Sequence, residues 1–73
     1  MIEISSAMQQ EAIKSLLDGK EVKGVTFTFD KKQGIKLLFK IDTSNSEEAA
    51  KIAKDAIKQE AWGKVLYFQA IGK

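Results

Sequence analysis

The run Val22 to Asp42, VKGVTFTFDKKQGIKLLFKID, decides how this chain must fold. Two alternating segments flank the polar stretch from Asp30 to Gly34. Side chains alternate across a strand, so Val25, Phe27 and Phe29 share one face, and Ile35, Leu37, Phe39 and Ile41 share the matching face of the partner. The pattern predicts a hairpin with one apolar side and a loop at 30–34, where Asp30 can bond its own backbone and Gly34 can take a positive φ. Gly24 stands where Val22 falls out of step with Val25, which predicts a bulge or bend. A two-stranded ribbon is unstable alone, so the amphipathic segments before and after it are expected to be helices covering those seven side chains.

Toward the N-terminus, Ile2 and Ile4 flank Glu3, which predicts a short strand. Ser5 and Ser6 offer N-cap hydroxyls and Gln9 stands at capping-box distance from Ser6, so a helix is expected from Ser6 to Asp18, closed by Gly19. Met8, Ala12, Ile13, Leu16 and Leu17 form its apolar stripe. Beyond the hairpin, Ser44 and Glu47 repeat the capping-box spacing and open a second helix over Ser46 to Ala61. Ala49, Ile52, Ala53, Ala56 and Ile57 line its inner side, Gly63 is expected to cap it, and Trp62 to fold onto the core edge. The final run, Lys64 to Ile71, predicts a strand with Leu66, Phe68 and Ala70 on one face and Val65, Tyr67, Gln69 and Ile71 on the other.

Strand, helix, strand, strand, helix, strand is the order of a ferredoxin-like βαββαβ two-layer sandwich, an α+β architecture with both helices on one face of an antiparallel sheet. Without the N-terminal strand it reduces to αββαβ. The expected core is Leu16, Phe27, Phe29, Leu37, Phe39, Ile57 and Phe68. Seventy-three residues make one domain, 1–73, of a size at which every apolar face is needed.

Composition removes several function classes. With no His and no Cys, the usual neutral-pH base and strong nucleophile are missing, as are thiolate metal sites and disulfides, and an enzyme is not expected. All twelve cations are Lys against ten acids, a net charge of +2, and the guanidinium fork that recognises phosphate or guanine is absent. No segment is apolar enough to span a bilayer and the N-terminus lacks a secretory pattern, so a cytoplasmic protein without membrane contact is expected. The oxygen-rich stretch from Asp42 to Glu48 lacks the glycine and glutamate spacing of a calcium loop, and no cofactor is implied. Glu60 falls on the apolar side of the second helix, where a last-turn side chain reaches solvent more readily than it transfers protons. Gln9 reads as a capping residue rather than a ligand contact.

The uncovered sheet face is the expected working surface. Alternation gives it Thr26, Thr28, Lys36, Leu38, Lys40, Val65, Tyr67 and Gln69, of which Leu38, Val65 and Tyr67 would form an exposed apolar patch. Lys36, Leu38, Lys40, Val65 and Tyr67 are therefore the candidate binding residues, with a protein partner or a second copy of the chain as the expected ligand. The alternative is single-stranded RNA, with Lys36 and Lys40 on phosphates and Tyr67 stacking on a base. The aromatic signature of RNA-recognition motifs is missing from the strand at 34–41.

Overall fold

In chain order the computed structural model, which describes residues 1–73, contains β1 (Ile2–Ser5), α1 (Gln10–Leu17), β2 (Lys20–Val22), β3 (Val25–Gln33), β4 (Lys36–Ile41), α2 (Ser46–Lys58), α3 (Ala61–Lys64) and β5 (Gln69–Gly72). The fold is α+β. All neighbouring strands are antiparallel in one sheet of order β2-β3-β4-β1-β5, five strands where four are expected from the sequence.

The fifth strand arises from Gly24. Val22 pairs with Val25, and the two residues between them, Lys23 and Gly24, have φ of 50° and 84°. Two successive positive φ values make a two-residue hairpin turn whose twist matches its strands. The expected bulge at Gly24 is thus a reversal, and the three residues before it become an edge strand. The bulge lies further on, between Phe29 and Lys31, so that Phe29 opposes Phe39 while Lys31 opposes Leu38. Asp30 is the extra residue, and β3 continues through the expected loop to Gln33. The connection shrinks to Gly34, at φ 61°, and Ile35. Ile35 is consequently in the turn and exposed, not among the side chains under the helices.

β1 is present, so the shorter αββαβ arrangement does not apply. It lies between β4 and β5, with Ile2 opposite Phe39 and Gly72, and Ile4 opposite Leu37 and Ala70. These pairs face the helices, and both isoleucines are completely buried. The core joins them to Ile13 and Leu17 of α1, Phe27, Leu37 and Phe39 of the sheet, and Ala49, Ala53 and Ile57 of α2. Phe68 belongs to it as expected, whereas Leu16 and Phe29 are half-buried at its rim. There Phe29 meets Phe39 edge-on, with ring centroids 5.6 Å apart, and carries the Lys14 ammonium 4.5 Å above its ring.

Both helix starts differ from the capping-box readings. Ser6 is buried, its hydroxyl donates to the Met8 carbonyl at 2.6 Å, and Gln9 takes a left-handed φ of 60° without capping through its side chain. α1 therefore begins at Gln10, and Met8 points to solvent instead of joining the apolar stripe. At α2 the cap is Asn45, whose Oδ1 accepts the Glu48 N–H at 3.1 Å, rather than Ser44. α1 ends as the sequence implies, at Asp18 and Gly19, and is tied down there: Asp18 Oδ1 accepts the Phe29 N–H at 2.9 Å, and the Gly19 N–H donates to the Phe27 carbonyl at 2.7 Å.

The strand expected over Lys64 to Ile71 is shorter. β1 ends at Ser5, opposite Gln69, and the chain turns away at Ser6, so residues before Gln69 have no ladder to join. They form instead the end of α3 and a linking segment. α2 likewise stops at Lys58, and Gly63 is not its cap but a buried residue within α3. A Cβ on Gly63 would lie 1.7 Å from the Ile57 carbonyl oxygen, an overlap with backbone that no rotamer change relieves. Gly63→Ala should therefore destabilise the fold by about 2–3 kcal/mol, the upper range for overpacking. Urea denaturation followed by circular dichroism checks this, with Gly34→Ala, where a Cβ has open space, as the variant that carries only the backbone penalty.

Candidate interaction surfaces

Alternation along β4 does turn Lys36, Leu38 and Lys40 away from the helices. Leu38 stands between Glu3 of β1 and Lys31 of β3, Lys40 opposite Thr28, and Lys36 between Ser5 and Gln33. Leu38 is nevertheless only 6% exposed, and Glu3 beside it is also buried. The Glu3 carboxylate meets the Lys73 ammonium at 3.1 Å, while Lys40 and Asp30 approach only to 3.9 Å. Long flanking side chains close over a central leucine in this way, laying their methylenes on it while their charges stay in water. The centre of the uncovered face is a sealed patch with a charged rim, not the open apolar patch expected there.

Val65 and Tyr67 are elsewhere. Both precede β5 and sit at the end of the sheet where β1 leaves it, 88% and 87% exposed. Two clefts meet there, of about 350 Å³ and 380 Å³. Met8, Gln9, Trp62, Val65 and Leu66 line the first, Ser5, Ser6, Ile35 and Phe68 the second, and Ala7 and Tyr67 belong to both. Tyr67 is the wall between them. Met8 and Ile35 add their own exposure, 67% and 51%, so four large apolar side chains from three separate segments crowd one end of the molecule.

Of the five candidate residues, the structure keeps Lys36, Leu38 and Lys40 on one strand and places Val65 and Tyr67 on another surface. The sequence reading missed Met8 and Ile35, which it assigned to the core because helical spacing and strand alternation were extended through residues that belong to turns. The signal that could have found them was local: Gly34 just before Ile35 fits a two-residue turn as well as the end of a longer loop. Gln9 holds the N-cap position of α1 but makes no side-chain cap, and it lines a cleft instead. Glu60 lies in the half-buried link between α2 and α3, lines none of the clefts, and its backbone carbonyl accepts the Gly63 and Lys64 N–H groups. Asp42 is engaged within the fold, its Oδ1 accepting the Thr26 N–H at 3.0 Å. No helix is long and apolar enough to cross a membrane.

Comparison with known protein families, with curated proteins and with solved structures finds no match to this chain.

The sealed patch has an energetic consequence. Leu38→Ala should cost about 2 kcal/mol, the lower end for a buried leucine because one side of the site can be reached by water. Lys40→Ala should change stability by less than about 0.5 kcal/mol. Denaturation midpoints of the two variants measure the difference, and equal midpoints would return Leu38 to the exposed surface.

Proposed function

We propose that this chain is a non-catalytic protein-interaction module that associates through the apolar end of its sheet, around Tyr67, with self-association as the form most readily tested. The observation that carries the reading is the concentration of Met8, Ile35, Val65 and Tyr67, all exposed, around two adjoining clefts. An exposed apolar cluster of this kind costs free energy in water and is relieved by a partner. The uncovered sheet face is the weaker candidate, since its leucine is already covered. The lack of His, Cys and Arg, and a Glu60 that lines no cleft, support a non-catalytic role.

The same reading treats the architecture as ferredoxin-like with one added edge strand. What supports this is the order β3-β4-β1-β5 that is left when β2 is set aside, with α1 and α2 packed into one core. Single-stranded RNA remains the second reading on the strength of Lys36 and Lys40, although Tyr67 lies off their strand.

Dilution of labelled protein should move the amide resonances of Met8, Ile35, Val65 and Tyr67, and the effect should persist as salt is raised, because apolar contacts are not screened. A Val65→Ser, Tyr67→Ser double variant should lose the concentration dependence while keeping its denaturation midpoint within about 0.5 kcal/mol, as exposed positions do. Shifts at Lys36 and Lys40 on adding a short oligouridylate, erased by salt, would instead favour RNA. Silence at the sheet end in both titrations removes it as the working surface.

A further inference from the structure

The two edges of the sheet are not alike. β2 is three residues long and carries Lys20 and Glu21, with Lys23 next to it, the charged and short form that discourages pairing with another chain. β5 carries Gln69, Ala70, Ile71 and Gly72, with no charge, proline or bulge. Lys73, which follows, is drawn to Glu3 on the uncovered face and does not guard the edge. Its N–H donates to the Met1 carbonyl at 2.8 Å, which fixes the phase of the ladder. Bonded and non-bonded pairs alternate in an antiparallel ladder, so Ile71 and Gln69 bond to β1 while the N–H and C=O of Ala70 and Gly72 point outward.

Beside those free groups runs a groove of about 370 Å³ between β5 and α2, floored by Ala50, Ala70 and Gly72 and flanked by Lys51 and Lys54, with Glu47 toward the start of α2. Gly72 is what lets the strand lie so close: a Cβ there would be 2.6 Å from the Ser46 carbonyl carbon. We infer that β5 is a docking edge for an extended acidic peptide, which adds as a sixth strand and places alternate carboxylates against Lys51 and Lys54. Alternate residues of a strand are about 6.7 Å apart. Lys51 and Lys54 are separated by about 4.5 Å of helix rise, so two successive inward carboxylates fall within reach of two flexible ammonium groups. The intervening peptide side chains would lie beside Ile71, which is half-exposed on the other face. A second copy fits less well, because pairing β5 with β5 about a two-fold axis turns Lys51 and Lys54 of each copy toward those of the other. This edge adjoins the Tyr67 surface at Gln69, which lines the second cleft, but its outward groups and its lysines lie outside both Tyr67 clefts.

The probe is a fluorescein-labelled peptide of alternating valine and glutamate, compared with its valine and lysine counterpart. Anisotropy should show saturable binding of the acidic peptide alone. In the complex, the Ala70 and Gly72 amides should shift and exchange their hydrogens at least about tenfold more slowly. Lys51→Glu with Lys54→Glu, both on exposed helix surface, should weaken binding about tenfold or more. Ala70→Pro removes an outward donor without touching the β1 ladder and should abolish binding. Tyr67→Ser should leave it unchanged, which separates this edge from the sheet-end surface. Equal binding of the lysine peptide, unperturbed Ala70 and Gly72 amides, or dilution shifts confined to Gln69–Gly72 in the protein alone would overturn the inference, the last by showing a second copy on the edge.

Discussion

Four residues near the N-terminus hold the sheet together. Ile2 to Ser5 is bonded on both sides, to β4 through Ile2 and Ile4 and to β5 through Glu3 and Ser5, and its two isoleucines fill the centre of the layer that the helices cover. Remove that strand and β5 has no neighbour, while the three-stranded meander of β2, β3 and β4 loses the edge against which α2 is packed. An antiparallel ladder is formed with sequence-distant partners here, since β1 closes against residues more than thirty positions away. The loop-closure entropy of that pairing is recovered only when the phenylalanines of β3 and β4 are buried with it.

Much of this was legible from residues alone. The alternation of Phe27, Phe29, Leu37 and Phe39 and the stripes of Ile13 and Leu17, and of Ala49, Ala53 and Ile57, correctly placed two helices on one side of a hairpin. Reversals were what went unread. Lys23-Gly24 and Gly34-Ile35 are two-residue turns, and each glycine was assigned a different task, a bulge in one case and the end of a long loop in the other. Period-2 reasoning has no means of detecting a bulge at Asp30, because inserting one residue shifts the phase without changing composition. Ile35 was misplaced for its own reason, since alternation was carried from β4 back into the turn that holds it. Likewise, a capping-box spacing at Ser6 lost to a tertiary demand, the burial of Ser6 where the chain leaves the sheet.

The candidate surface was half legible for a related reason. Lys36, Leu38 and Lys40 are on the face that alternation gives them, but alternation carries no information on whether neighbouring side chains will seal a leucine. The continuation of strand character from Gln69 back to Lys64 was plausible from residue types and failed because strands need partners. A run of apolar residues without a ladder becomes an exposed cluster instead, and that is how Val65 and Tyr67 come to share a surface with Met8 and Ile35. The charged β2 edge and the uncharged β5 edge point the same way: contact-prone surface is concentrated on β5, the residues leading into it and the neighbouring Met8 and Ile35.

Native-state hydrogen exchange on the isolated protein tests the central claim, that the N-terminal segment is an interior strand paired on both sides and β5 the free edge beside it. The account predicts that the Ile2, Glu3 and Ile4 amides are among the slowest to exchange, and that protection in β5 alternates, with Ile71 slow and Ala70 and Gly72 fast. Rapid exchange throughout Ile2–Ser5, or uniform protection across Gln69–Gly72, would contradict it.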